Sequence, residues 1–248
     1  MRIERNGPVA VLRMEHGKAN AIGAAFLERM EGLLAESADA RALVLTGHGA
    51  FFSAGLDLPA LVPLDRAGMR EQIVRFDAAM LRLFELPMPV VAAVNGHAVA
   101  GGCVLALQAD VRIGADRDAR IGLNEAQLGI GLPAVVVETL RWQVPGSSLA
   151  EIALEGRLFS PREALRVGLL HEVVAEGELL SRAIERAAAL AALAPAGIRM
   201  VKQSLRRPAA RAARESEGAE AERWLDTWFA PDTQRLLRDT VARLGKKG

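Results

Sequence analysis

Glu125 stands as a single carboxylate among Ile121, Leu123, Leu128, Ile130 and Leu132 in the segment RIGLNEAQLGIGLP. Partial loss of water around it would raise its pKa toward a value useful for proton transfer. The alternative is a helix-capping or exposed glutamate, to which the preceding Asn124 lends weight. Two glycine-containing turns, GHGAFFSAGLDL and NGHAVAGGCVLAL, each follow directly on an apolar run. Missing or small side chains there would let a ligand approach the main chain, and the start of a following helix leaves amides unpaired and partly positive. Two such amides from different turns, converging on one oxygen, would stabilise negative charge developing on it. Plain turn geometry is the competing account of each glycine. Other chemical signatures are missing: no glycine-rich loop ends in Gly-Lys-Ser/Thr, and His171-Glu172 has no second histidine four residues after the first. His16, His48, His97 and His171 lack metal-like pairing, so they read as capping, turn or packing residues and no metal is expected.

The elements around these segments follow from hydrophobic periodicity. Val9 to Met14, Ala42 to Thr46 and Val90 to Val94 are short apolar or β-branched runs and predict strands. Ala25, Phe26, Met30, Leu33 and Leu34 recur at helical spacing through AAFLERMEGLLAE, as do Met69, Ile73, Phe76, Met80 and Leu83 between Arg66 and Phe84. Pro87 and Pro89 stop that second helix. Leu61 to Gly68 reads as an exposed loop before it, and Cys103 to Gln108 as a short apolar helix. Strand and helix alternate, so the front of the chain is α/β. Beyond Pro133 the pattern is mainly helical: Ser160-Pro161 starts a helix, and alanine-rich segments run from Glu176 to Leu193 and from Pro208 to the end.

Composition narrows the classes. The chain has 248 residues, 51% hydrophobic and 25% charged, which suits a folded globular protein and excludes a mostly disordered or fibrous one. Thirty-one basic and thirty acidic side chains nearly balance, without the broad positive field of a dedicated nucleic-acid binder. The lone Cys103 can form neither an internal disulfide nor a multi-cysteine metal site. Arg2, Glu4 and Arg5 interrupt the N-terminus where a secretory signal would be apolar, so a cytoplasmic protein is expected. Leu86 to Ala109 carries no Asp, Glu, Lys or Arg, yet Pro87, Pro89, Asn95, Gly96, Gly101 and Gly102 suit a buried strand, loop and helix better than a membrane span.

FFSAGLDL, NGHAVAGGCVLALQADVRI and IGLNEAQLGIGLP, in this order and spacing, resemble the crotonase superfamily, also called the enoyl-CoA hydratase/isomerase family. The likeness extends from the early HGKANAI to SPREALRVGLLHEVV. It implies an α/β fold, a spiral of repeated ββα units with a C-terminal helical region. The core would span residues 1–190 and a helical trimerisation region residues 191–248, in a homotrimer or dimer of trimers. In the family, one oxyanion-hole amide follows the glycine of the AGxDL turn, here Leu56. The other falls on Gly101, with Ala100 in the first place of a triple-glycine pattern. These amides would hold a thioester carbonyl as an α-proton leaves.

Family hydratases carry two glutamates; here Val104 occupies the first position and Glu125 the second. Adding water asks for a positioned water and a proton donor, whereas shifting a double bond asks for one base that removes a proton and returns it nearby. The surrounding segments are similar to those of mitochondrial-type Δ3,Δ2-enoyl-CoA isomerases, in which the matching glutamate moves the proton between C2 and C4. An isomerase is therefore preferred to a hydratase or thioester hydrolase, with Asp57, Glu71, Glu85 and Glu138 as candidates for a second acid. The resemblance also implies a substrate-binding set. Lys18 and Ala19 would lie along the adenine and phosphate end of coenzyme A, and Ala54, Asp57 and Leu58 along its pantetheine arm, with Gly55 and Gly102 beside them. Coenzyme A enters as part of the substrate and no separate cofactor is expected.

Two features remain. Arg199, Lys202, Arg206, Arg207, Arg211 and Arg214 follow one another without an acid, broken by Pro208. Such a stripe is either a solvated face or a surface for a phosphate, RNA or a membrane, and it alone supports a non-catalytic acyl-CoA- or RNA-binding protein. Nucleic acid is otherwise not expected as a partner. Trp224, Leu225, Trp228 and Phe229 share a helical face suited to core or subunit packing.

Overall fold

A computed structural model describes residues 1–245; positions 246–248 of the expected C-terminal helical region lie outside the described residues. Short apolar runs build a six-stranded sheet. β2 (Val9–Arg13), β3 (Ala42–Thr46), β5 (Val90–Val94), β7 (Val111–Asp116) and β9 (Glu172–Ala175) lie parallel in that order, and β1 (Arg2–Asn6) adds antiparallel to β2 at one edge. Every residue of β3 and β5 is buried, as a parallel sheet covered on both faces requires. Alternation divides them. Leu43, Leu45, Val90 and Ala92 face the main core, while Ala42, Val44, Val91 and Ala93 meet Leu179, Ala183, Ala187 and Ala191 of α7 (Leu179–Ala191).

A second sheet joins β4 (Phe51–Ser53), β6 (His97–Val99) and β8 (Ile121–Gly122), all parallel. Each of its strands follows a strand of the large sheet and precedes a helix. β3 and β4 lead into α2 (Leu58–Leu61) and α3 (Arg66–Phe84), β5 and β6 into α4 (Gly101–Leu107), and β7 and β8 into α5 (Ala134–Gln143). The result is the spiral of ββα turns with a helical C-terminal region, the architecture that the motifs implied. α3 buries its predicted apolar stripe, and α1 (Ala24–Glu36) buries Phe26, Met30, Leu33 and Leu34 as expected, with Leu27 in the core and Ala25 exposed instead. Asp65 caps α3 by accepting from the Gly68 N–H at 2.8 Å, and a reciprocal Ser160–Glu163 box starts α6 (Pro161–Arg166). The segment Leu86 to Ala109 folds as β5, β6 and α4, and among the described residues no helix is long and apolar enough to cross a membrane.

Two expectations change. The back of the chain contributes β9 to the sheet as well as helices; the charged RIERN segment, to which the sequence assigns no element, is also a strand, its Ile3 opposite Leu12 and its charges at the solvated edge. Pro208 does not divide the C-terminal segment: α8 runs unbroken over Pro195–Trp228 and is followed by α9 (Pro231–Gly245). An interior proline costs a helix about 3 kcal/mol, and here packing on both sides of it offsets that cost. Ala209 and Ala210 press on Phe84, and the Arg206 guanidinium lies 4.2 Å over the Phe84 ring.

The basic stripe is correspondingly not one face. Lys202 and Arg206 turn inward: the Lys202 ammonium donates to Asp110 and to the Met88 carbonyl, each at 2.7 Å, and Arg206 pairs with Asp110 at 2.7 Å. Arg206 also donates to the carbonyls of Gln108, at 2.8 Å, and Phe84. Burial pushes the Lys202 ammonium down to about 8, with the charge of Asp110 opposing that fall. Arg214 pairs with Glu85, and Arg211 with Glu215 at 2.6 Å. Four of the stripe's six cations are thus in an internal clamp or paired on the surface. Removing the one carboxylate of the clamp while keeping its shape leaves two buried cations without a counter-ion. Asp110→Asn is expected to lower the unfolding free energy by about 3–5 kcal/mol, measured by urea denaturation.

Candidate active site

The first candidate amide is exposed by the way its neighbours spend theirs. Ile22 donates to the Gly55 carbonyl at 2.7 Å and accepts from the Asp57 N–H at 3.1 Å, bracketing Leu56 and leaving the Leu56 N–H without an acceptor among the described residues. A buried asparagine holds this turn. Asn20, at φ 50°, accepts from the His16 N–H at 2.8 Å and donates to the carbonyls of Met14 at 3.2 Å and Phe52 at 3.0 Å. Ser53 donates to the Asn20 carbonyl at 2.7 Å and accepts from the Gly55 N–H at 3.2 Å. Neither Asn20 nor Ser53 was singled out from sequence. The available signal was an Asn in HGKANAI, a residue type that tolerates left-handed backbone and bonds nearby main chain.

The second amide belongs to Gly101, which opens α4 and makes no intrahelical bond. It lies against the first turn. Gly55 has φ +86°, and a Cβ built on it would stand 2.8 Å from the Val99 carbonyl and 3.0 Å from the Gly101 nitrogen. A Cβ on Gly101 would be 3.5 Å from the Leu56 nitrogen. Two unspent N–H groups from separate segments therefore sit side by side. Gly102 is required for a different reason: a Cβ there would overlap the Ser53 carbonyl at 2.1 Å, so its absent side chain seats α4 on β4.

Glu125 reaches the same place through the small sheet. The Ala100 N–H donates to the Gly122 carbonyl at 2.9 Å, so the chain that leaves β8 toward Glu125 starts beside the Gly101 amide. Its backbone carbonyl accepts from Leu128 at 2.9 Å and Ile130 at 3.0 Å, which folds a tight turn over Ala126–Leu128. The side chain does not cap that turn. Carboxyl oxygen Oε2 is shielded from solvent and has no partner among the described residues. Burial pushes the carboxyl up to about 7, against a hydrogen bond from its own backbone N–H that holds it down. Its charge is felt by Cys103, whose thiol burial, then Glu125, push up to about 12. That places the carboxyl within electrostatic reach of the first turn of α4, and leaves Cys103 an inert packing group.

Val104, the next residue of α4, is buried and apolar. Every other acid considered from sequence has a different task. Asp57 caps α2 through Ala60 at 3.4 Å, Glu71 pairs with Arg75 at 2.7 Å, Glu138 with Arg141 at 3.2 Å, and Glu85 with Arg214. Ala54 donates to the Ala19 carbonyl at 2.9 Å, so Ala19, Ala54, Gly55, Leu56, Asp57 and Leu58 form one rim with Gly101 and Gly102 across it. Lys18 sits on that rim with its side chain exposed. His171 lies away from it, its Nδ1 accepting from the Arg112 N–H at 3.0 Å. Among the described residues no group of His, Cys, Asp and Glu has the arrangement of a metal site.

A spiral of ββα turns with paired free amides beside one shielded carboxyl defines a crotonase-type enzyme. Residues 4–235 match the enoyl-CoA hydratase/isomerase family, and the chain belongs to that family of acyl-CoA enzymes. Among relatives, the carnitinyl-CoA dehydratase of Salmonella paratyphi A is 36% identical over 215 residues, 83% of this chain and 80% of that one. The human mitochondrial delta3-delta2-enoyl-CoA isomerase superposes with a TM-score of 0.93 at 30% identity, over 99% of this chain and 98% of that one. An enoyl-CoA hydratase of Mycobacterium marinum superposes at 0.83 with 27% identity, over 90% and 98%. Their names cover three reactions, so kinship fixes the class of enzyme and leaves the reaction to the site.

Ala100 carries the strain of this arrangement. At φ 51°, ψ −125° it occupies a region that L-residues enter at a cost of about 1–3 kcal/mol. Glycine relieves that strain but loses about 0.4–1 kcal/mol through the freer unfolded chain. Ala100→Gly is thus expected to stabilise the protein by roughly 1 kcal/mol, read as a raised melting temperature.

Proposed function

We propose that the chain is a Δ3,Δ2-enoyl-CoA isomerase in which Glu125 carries one proton from C2 to C4 of the acyl chain. The observation behind this reading is the pair Val104 and Glu125: buried hydrocarbon at the position of a hydratase's first glutamate, and a carboxyl with one oxygen shielded and unpartnered among the described residues at that of its second. The thioester oxygen would accept from the Leu56 and Gly101 N–H groups. Glu125 would take the C2 proton as the electron pair spreads over the conjugated dienolate, whose oxygen the two amides stabilise. The protonated Glu125 then delivers the same proton to C4, leaving the double bond between C2 and C3. No electrons are gained or lost, so the step needs no redox carrier. Each oxyanion donor of this kind is worth about 10²–10³ in rate.

The rim from Lys18 and Ala19 through Ala54, Gly55, Asp57 and Leu58 to Gly102 would hold the coenzyme A portion. Exposed Met200, Val201 and Leu205 on α8 support self-association as a homotrimer or paired trimers. Hydration or dehydration is the second reading, favoured by the 36% identity to carnitinyl-CoA dehydratase. It requires an acid besides Glu125, and the acids considered for that role are capping or paired on the surface.

The test is conversion of a 3-enoyl-CoA to the conjugated 2-enoyl form, followed by absorbance. Glu125→Gln is expected to lower kcat/KM by about 10²–10⁴; full activity in that variant, or ¹⁸O from labelled water in the wild-type product, would overturn the assignment. The pH profile provides a further check. Glu125 must be ionised to accept the proton and burial holds its carboxyl near 7. kcat/KM should therefore rise with pH through about 7 and level off above it, rather than near the 4.5 of an ordinary glutamate.

A further inference from the structure

We propose that the cleft between α3 and α8 binds an organic ammonium ion, its nitrogen held between Asp77 and Glu217 and its alkyl part against Leu81, Leu86 and Val135. This cavity, about 580 Å³, shares no lining residue with the Glu125 site. Asp77 makes its strongest feature. The residue is 6% exposed, its Oδ1 is sealed from solvent, and no described residue gives the carboxyl a hydrogen bond or an ion pair. A buried polar group left without a partner costs about 1–3 kcal/mol, so a ligand that supplies one gains what the empty protein forgoes.

The walls specify its charge. On α3, Asp77, Arg82 and Glu85 face the cleft; on α8, Arg214 and Glu217 do. Glu85 and Arg214 neutralise one another, and α5 adds only the apolar Val135. Glu217, which has no ion pair with any described residue, and Asp77, once it gives up its proton, then stand against the single exposed Arg82. A cation is favoured over an anion. An ammonium is favoured over a metal, because among the described residues no three metal-ligating side chains come together and much of the wall is hydrocarbon. Burial, and then the charge of Glu217, push the Asp77 carboxyl up to about 8. At neutral pH the empty site therefore holds a proton that a bound cation expels.

Isothermal titration calorimetry with n-butylammonium chloride at neutral pH tests this on the intact protein. The expected result is saturable binding whose heat depends on the ionisation enthalpy of the buffer, reporting close to one proton released per site. Asp77→Asn, which imitates the protonated acid and should keep its fold and its enoyl-CoA turnover, is expected to weaken binding at least ~10-fold and abolish the buffer dependence. Glu217→Gln should weaken binding and reduce the proton release. No saturable binding, equal binding by Asp77→Asn, or equal binding of uncharged 1-butanol would overturn the proposal.

Discussion

The site depends on how closely two pieces of main chain are allowed to approach. The Leu56 turn and the start of α4 meet where a Cβ on Gly55 would press on the Val99 carbonyl, and α4 is seated where a Cβ on Gly102 would enter the Ser53 carbonyl. With those side chains absent, two N–H groups lie together whose neighbours have used their own hydrogen bonds elsewhere. Unpaired amides are costly inside a protein. Here Asn20 and Ser53, both buried and fully engaged with main chain, hold the turn that leaves Leu56 unspent. The strained Ala100 is part of the same constraint, since its positive φ aims the first turn of α4 at the Leu56 loop.

Around these donors the protein restricts its acids. A carboxyl shielded among apolar groups is hard to ionise, and a second one nearby would push the pair further apart in pKa. In α4 the inert Cys103 lies within reach of the Glu125 charge, and the residue after it is the buried, apolar Val104 rather than a second acid. A carboxyl whose pKa lies near 7 is both a usable base and, once protonated, a usable acid. That equality suits a reaction in which one group must remove a proton and give it back.

The parts legible in the sequence were those fixed locally. AAFLERMEGLLAE and the Arg66 to Phe84 segment present helical stripes, and α1 and α3 bury all of their residues named from sequence except Ala25. Motifs tie Leu56 to the turn after β4, Gly101 to the start of α4 and Glu125 to the tight turn after β8, all of them locally formed features. Non-local contacts hid the rest. RIERN has no apolar run to announce a strand until Ile3 is set opposite Leu12 of β2, and EVVA is too short to announce one without β7 beside it. Pro208 looks like a helix end because the burial of Arg206, Ala209 and Ala210 that holds α8 together comes from distant residues, Phe84 and Gln108 lying 122 and 98 positions before Arg206. The same blindness made Lys202 and Arg206 look like members of a surface stripe, when their partner is Asp110 at the end of α4.

That buried clamp bears on the chemistry through the helix it fixes. Asp110 holds α8 against the core near its start, and Trp224 and Trp228, stacked at 5.2 Å, bury its far end. Between and just beyond them, α8 and α9 reach over to the loop of Glu125. The Thr227 hydroxyl accepts from the Gly131 N–H at 2.9 Å, and Thr233 donates to the Gly129 carbonyl at 3.0 Å. Gly129 is in left-handed conformation, with Thr233 so near that a Cβ would stand 2.6 Å from its hydroxyl. The tight turn after Glu125 is therefore closed on one side by its own carbonyl and on the other by the C-terminal helices. A proton shuttle has to hold its carboxyl within a fraction of an ångström of two carbons in turn, and loops do that only when packed from both sides. By that route the C-terminal helices help to fix the loop that carries Glu125.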